Sequence, residues 1–78
     1  MIAEEFIELT RRRPFVPIRF HFADGWTFDF SQPYRVMVFR QRAEVAVDVD
    51  PKTGVVYRSE SLWLEHIVRA EGIASSAN

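Results

Sequence analysis

The chain of 78 residues contains no cysteine and only three glycines. Without cysteine it cannot form a disulfide or a thiolate zinc site, a composition compatible with a reducing compartment. No stretch approaches the roughly 18 consecutive apolar residues that indicate a membrane-spanning helix. The few glycines are explained by two turns and a terminus, which argues against a glycine-rich loop that binds a phosphate.

An excess of charge of one sign is also missing, since ten basic and eleven acidic side chains leave a net charge of −1. The chain as a whole is therefore not expected to be drawn to nucleic acid. The first residues are acidic and contain no apolar segment typical of a secretion signal, which predicts a cytoplasmic protein without membrane contact. The length predicts a single domain over 1–78.

Aromatic residues are plentiful, with seven Phe, two Trp and two Tyr. Each can bury roughly 150–250 Å², which compensates for the modest core of a short chain. Part of this apolar surface could be buried by a partner chain, because small domains often gain stability by forming oligomers.

The segment from Ile18 to Phe30 predicts a β-hairpin with one apolar face. Apolar and polar residues alternate on both sides of Asp24-Gly25, with the period of two typical of half-buried strands. A two-residue loop would mix apolar and polar side chains on both faces. A three-residue loop, Ala23–Gly25, puts six large apolar side chains on one face, so we expect this loop, with Gly25 in the left-handed region.

A helix and further strands are predicted around this hairpin from periodicity and turn residues. The strand over 34–40 is apolar on both faces, since Met37 and Phe39 alternate with Val36 and Val38, so we expect it to be covered on both sides. The predicted elements are a helix over 2–12, within an N-terminal unit 1–13 that ends before Pro14, and strands over 34–40, 45–49 and from 55 to 58, separated by turns at 41–43 and 50–54.

The segment 59–72 is compatible with two structures. As a helix it would have Ser61 as N-cap and Gly72 as its stop, and the pattern alone slightly favours this alternative. As β structure it would form a turn or 3₁₀ piece over 59–64 and a last strand over 65–71. Residues 73–78 are small and polar and predict a flexible tail.

The order of these elements resembles the layout of Sm-like and SH3-like small barrels. The run Pro14-Phe15-Val16-Pro17-Ile18, followed by Asp24-Gly25, is similar to a group of uncharacterised short bacterial proteins that end in a short strand. The resemblance implies a mainly β fold, in which an N-terminal helix precedes a strongly bent, five-stranded antiparallel sheet over 15–71 that is partly closed as a small barrel. It favours the strand over 65–71 and implies no activity. Where Sm-like proteins carry RNA-binding signatures, this chain has Phe30–Tyr34 and lacks an Arg-Gly dipeptide.

The predicted core gathers the alternating apolar positions of the strands, with the helix packed against one side through Ile2, Phe6 and Leu9. Trp26 is expected to lie at the rim of the core beside the hairpin turn. The predicted core residues are Ile18, Phe20, Phe22, Phe28, Phe30, Val36, Val38, Val45, Val47 and Ile67.

Few residues suggest chemistry. His21 and Asp29 could lie together on the polar face of the hairpin as a weak ligand-binding or general-base candidate. Arg11, Arg12 and Arg13 could contact a phosphate backbone, and Trp63 in its apolar surroundings could contact a partner. No motif of a nucleophile, metal or cofactor is present, so no catalytic residue, cofactor or metal is predicted.

Three functional hypotheses follow. The first is a non-catalytic interaction or assembly module, forming homo-oligomers through its sheet edges. The second is binding of nucleic acid, RNA in particular, through the Arg11–Arg13 end of the helix. The third is a small ligand-binding or enzymatic domain around His21 and Asp29.

Overall fold

A computed structural model of the chain describes residues 1–73 and shows a mainly β fold with one short N-terminal helix. Within those residues no helix is long and apolar enough to cross a membrane. In chain order the elements are α1 Ala3–Thr10, β1 Ile18–Phe22, β2 Thr27–Phe30, β3 Arg35–Val38, β4 Arg42–Val49, β5 Val56–Trp63, a 3₁₀ helix Leu64–His66 and β6 Ile67–Gly72.

The strands form two antiparallel sheets of three strands each. Sheet A has the order β2-β1-β6 and sheet B the order β3-β4-β5. The predicted five-stranded, partly closed barrel is therefore wrong in strand number and in closure. The chain passes from sheet A to sheet B through Ser31–Tyr34, where Pro33 cannot donate to a ladder, and it returns through the 3₁₀ helix, so both crossings interrupt the strands.

The hairpin register is confirmed. Phe20 lies opposite Phe28 and Ile18 opposite Phe30, and Gly25 has a φ of +92°. Because glycine has no Cβ, it adopts this left-handed conformation without steric cost. The side chain of Trp26 packs on the ring of Phe22 with 4.8 Å between ring centroids and stays 43% exposed, at the rim beside the turn.

The core lies between α1 and the inner faces of the two sheets. The ring of Phe6 is fully buried and stacks on Phe20 with 5.2 Å between centroids. Six predicted core residues are buried: Ile18, Phe20, Phe22, Phe30, Val45 and Ile67. Four others, Phe28, Val36, Val38 and Val47, are only partly buried against that core. Four buried apolar residues were not in the predicted list of core residues: Phe6, which was expected to pack on the core from the helix, and Ala43, Leu62 and Leu64.

The helix is shorter than predicted, since it ends at Thr10 and has no basic residue in its last turn. The buried hydroxyl of Thr10 donates to the Phe6 carbonyl oxygen over 2.9 Å. The arginine run therefore follows α1 instead of completing it. Ile2, predicted to pack on the core, is 65% exposed, whereas Leu9 is partly buried.

The expected cover on both faces of the third strand is also wrong. Met37 is 64% exposed and Phe39 is 39% exposed, because α1 packs on the other side of the sheets, where Phe6 joins the core. The predicted turn at 41–43 lies two residues earlier, at 39–41, because β3 ends at Val38 and β4 begins at Arg42. The turn at 50–54 forms as predicted, with Gly54 at a φ of +78°.

The C-terminal segment is β structure, so the helical alternative is wrong. Strand β5 continues to Trp63, and only Leu64–His66 form a 3₁₀ turn before β6. Pairing with β4 and β1 decides the outcome, since the apolar pattern alone was compatible with both structures. The predicted tail over 73–78 lies outside the described residues except for Ile73, whose N–H donates to the Pro17 carbonyl oxygen.

Candidate functional site

Strand β5 is the longest edge strand among residues 1–73. It has eight residues, against four in β2, four in β3 and six in β6. Only one of its side chains, Leu62, is buried, and Glu60 is half-buried. An edge strand of this length presents a row of backbone groups that a further strand can pair with.

The pairing with β4 identifies which backbone groups point outwards. The Leu64 N–H donates to the Gln41 carbonyl oxygen over 3.0 Å, so the neighbouring Trp63 occupies a non-hydrogen-bonded position of the ladder. Hydrogen-bonded and non-hydrogen-bonded pairs alternate along antiparallel strands. The backbone N–H and C=O groups of Ser59, Ser61 and Trp63 therefore point away from β4, towards solvent.

The outer surface of sheet B carries exposed apolar side chains, and we call it the apolar face. It comprises Met37, Phe39, Val56 and Trp63, which are between 39% and 64% exposed. The guanidinium carbon of Arg42 lies 4.3 Å from the Phe39 ring centroid and 5.8 Å from that of Trp63. A cation between two aromatic rings is attracted by both, so Arg42 holds the two rings on this face.

A polar group lies in the middle of the apolar face. The Glu44 carboxylate accepts hydrogen bonds from the hydroxyls of Ser61 and Ser59 and from Nε of Arg42. The Ser61 hydroxyl, followed by the Arg42 guanidinium, holds the pKa of Glu44 below its usual range, against the opposing effect of burial. The hydrogen-bonding capacity of the Glu44 carboxylate is therefore used within its own sheet. The surrounding apolar side chains are the part of this surface that is available for contact with another molecule.

Trp63, the predicted partner contact, is 44% exposed and lies where the apolar face meets the hairpin turn. Together with Trp26 it lines an open groove of about 350 Å³, with His66 at one side. Two half-exposed indole rings beside the end of β5 extend the apolar surface towards sheet A. The position of Trp63 is compatible with contact to a partner.

His21 and Asp29 do not form the predicted pair. In the hairpin register Asp29 lies opposite Arg19, and Arg19 donates two hydrogen bonds to it, of 2.7 and 3.0 Å. His21 instead contacts strand β6, with its Nε2 2.6 Å from a carboxylate oxygen of Glu71 and 3.1 Å from Arg69. These five side chains form a charged ladder on the outer surface of sheet A.

The charged ladder shifts the protonation of its two acids. The hydrogen bond from Arg19 lowers the pKa of Asp29, and the hydrogen bond with His21 lowers the pKa of Glu71. Both carboxylates are thus stabilised as anions by neighbours on adjacent strands. The arrangement provides neither the raised carboxylate pKa of a general acid nor a His21–Asp29 pair.

The arginine run is divided by the fold. Arg11 and Arg13 line a concavity of about 640 Å³ next to β3, and Arg35 lines the same concavity. Arg12 is exposed and is not among the residues that line it. Among residues 1–73, none of these four arginines makes an ion pair, whereas Arg19, Arg42, Arg58 and Arg69 each pair with an acid.

No metal site is apparent in the part of the chain that the structure describes, since no three His, Asp or Glu side chains there are grouped to hold an ion. Comparison of the chain with protein-family models, with curated proteins and with solved structures finds no match. The resemblance to Sm-like proteins and to short bacterial proteins therefore stays a prediction.

Two features of these surfaces go beyond the predicted site residues. Arg35 was one of several arginines that could add to the phosphate contact of Arg11–Arg13, and only the position of β3 selects it. Arg58 and Glu60, in contrast, are two residues apart in β5, and their ion pair of 3.1 Å follows directly from the strand period. The Arg58–Glu60 pair could therefore have been predicted from the sequence if residues 56–63 had been assigned to a strand.

Proposed function

We propose that this protein is a cytoplasmic, non-catalytic assembly module that self-associates through the free edge of β5. The observation that carries the proposal is the length and exposure of that edge, with the backbone groups of Ser59, Ser61 and Trp63 directed to solvent. A second strand that adds to such an edge satisfies these groups with main-chain hydrogen bonds.

The free edge of β5 has only part of the protection that natural sheets place on their edge strands. It carries the charges of Arg58 and Glu60 and a register shift beside Arg58, but it is not kept short, interrupted by proline or covered by another element. Strand β5 is eight residues long and contains no proline, whereas β2 and β3 have four residues each and Pro33 precedes β3. Of the described edges, β5 is therefore the one best suited to pair with another chain.

The apolar face supports the same interface. Strand addition at β5 extends sheet B, so the new strand lies beside Trp63 and Val56, which are 44% and 47% exposed. Burial of apolar surface stabilises an added strand by about 25 cal/mol per Å². An edge next to exposed apolar side chains thus offers both hydrogen bonds and hydrophobic contact.

Charge complementarity favours a second copy of this chain as the occupant. Arg58 and Glu60 flank Ser59 and lie on one side of the strand. If two β5 strands pair antiparallel with Ser59 at the centre, Arg58 of each copy lies opposite Glu60 of the other. Opposite charges that face each other across strands stabilise the pair. The contact is then a two-fold, self-complementary dimer interface.

Mass measurement by light scattering on a size-exclusion column tests this proposal. At micromolar concentration we expect twice the 9.1 kDa mass of the chain. Ser59→Pro removes an outward N–H while leaving the ladder to β4 intact, so it is expected to give a monomer. Ser59→Ala keeps that N–H and is the matched control, expected to remain dimeric. A wild-type monomer, or a Ser59→Pro dimer of unchanged affinity, would contradict the proposal.

A further inference from the structure

Three arginine residues line one concavity of about 640 Å³. Arg11 and Arg13 belong to the segment after α1, and Arg35 is the first residue of β3. Nη1 of Arg35 also lies close to Gly54, in the turn between β4 and β5. Each guanidinium has five N–H donors in a planar fork that matches a phosphate.

None of these three arginines forms an ion pair within residues 1–73, a property that they share with Arg12 and Arg40. Four other arginines of the chain pair with carboxylates at distances of 2.7 to 3.5 Å. The chain has a net charge of −1, so the unneutralised groups at the concavity reflect local placement and not overall composition. Clustered cations of this kind raise the local concentration of an anionic ligand.

Neighbouring polar groups of the concavity are already engaged. The Thr10 hydroxyl donates to the Phe6 carbonyl oxygen, and the Tyr34 hydroxyl lies 3.1 Å from the Ser31 hydroxyl. The Tyr34 ring packs on Phe30 with 5.3 Å between centroids. The side chains that remain for a ligand are therefore the arginines, whose guanidinium groups form ion pairs with phosphates.

We propose that the concavity formed by Arg11, Arg13 and Arg35 binds the phosphodiester backbone of single-stranded nucleic acid. The backbone of a single strand is flexible, so several of its phosphates can reach the arginines of one small concavity. Ion pairs with phosphates do not depend on the base, so we expect little preference for base sequence. This activity goes beyond self-association and uses a surface remote in sequence from β5.

Fluorescence anisotropy with a labelled oligouridylate of about twelve nucleotides, a length within the usual site sizes of single-strand binders, tests the proposal. Three phosphate contacts predict a slope of about −2 in log affinity against log salt, or a loss of about 20-fold between roughly 50 and 200 mM salt. Arg35→Ala is expected to reduce this slope by about 0.7. Arg11→Ala and Arg13→Ala are expected to act alike, since each removes one contact.

Arg12→Ala is the matched control, because it removes the same charge from the same run without touching the concavity. It is expected to leave both the affinity and the salt slope close to wild type. An equal loss for Arg12→Ala and Arg35→Ala would overturn the proposal, since it would show that only overall charge matters. Failure of the wild-type protein to bind the oligonucleotide would overturn it as well.

Two further arms separate the ligand sources. Inorganic phosphate, at matched ionic strength, is expected to displace the oligonucleotide no better than chloride does. Displacement at low millimolar phosphate would show a site for a free anion and would overturn the nucleic-acid assignment. Binding by the Ser59→Pro variant is expected to equal that of wild type, which distinguishes this site from the proposed β5 interface.

Discussion

A charge exchange within β5 can test both the interface and its register. Arg58→Glu gives a chain with two acidic side chains around Ser59, and Glu60→Arg gives a chain with two basic ones. In the antiparallel register centred on Ser59, each variant paired with itself sets like charges opposite each other at two places. Paired with each other, the two variants set opposite charges face to face at both places.

The size of the effect follows from the exposure of the two groups. The Arg58 side chain is 63% exposed and that of Glu60 is 35% exposed, so a value in the lower half of the usual range applies, about 0.5 kcal/mol for each opposed pair. Changing two pairs from attraction to repulsion weakens each homodimer by about 2 kcal/mol, or about 30-fold in Kd. The mixture of the two variants is expected to recover an affinity close to wild type.

The assay is sedimentation velocity of each variant alone and of an equimolar mixture. Neither variant can form the ion pair between residues 58 and 60 within its own chain, whether alone or in the mixture. A higher affinity in the mixture can therefore arise only from charge pairs between chains. Thermal unfolding of each variant checks that the monomer fold is retained. If the mixture associates no more tightly than either variant alone, the register centred on Ser59 is wrong.

Three further predictions concern the fold. Gly25→Val places a β-branched residue at a φ of +92°, so we expect the free energy of unfolding to fall by about 1–2 kcal/mol and the melting temperature to fall with it. Gly72→Ala is the control, because its Cβ would meet only ordinary contacts. Equal melting temperatures for Gly25→Val and wild type would refute the assigned turn. Phe20→Ala removes a fully buried ring and is expected to cost about 3–5 kcal/mol in urea unfolding, whereas Phe39→Ala, on the exposed face, is expected to cost about 1 kcal/mol or less. The pKa of Asp29 is lowered in the fold by the hydrogen bond from Arg19, so its stabilising effect is complete above the ordinary pKa of 3.8 and is lost as pH falls through the lower folded value. Asp29→Asn should therefore be less stable than wild type at neutral pH, by a difference that shrinks as pH falls below 3.8; a difference independent of pH would contradict this.

The hairpin was predictable because burial and turn geometry agree on one register. Six large apolar residues can share a face only with the three-residue loop, and Gly25 suits that loop. The same register sets Arg19 opposite Asp29 and His21 opposite Thr27. The partner of Asp29 was thus available from the sequence, because the register sets Arg19 directly opposite Asp29 and leaves His21 diagonal to it.

The second half of the chain was less predictable because its structure depends on contacts distant in sequence. Leu62 and Trp63 are both apolar, yet one is fully buried and the other 44% exposed, and only pairing with β4 decides which. The division into two sheets likewise depends on the break in the chain between β2 and β3, around Pro33. The arginine concavity required β3 to bring Arg35 beside Arg11, which no spacing in the sequence indicates.

The charged ladder of sheet A has a consequence for how far assembly can proceed. A two-fold contact uses the same edge in both copies, so a third copy would have to approach another strand, of which β6 is the next longest. There Arg69 and Glu71 repeat the spacing of Arg58 and Glu60, but a Glu71 carboxylate oxygen also lies 2.6 Å from Nε2 of His21, so it is less free to pair with an arginine of an incoming chain. If the chains associate through β5 as proposed, the expected product is a discrete pair of chains instead of an open-ended fibre.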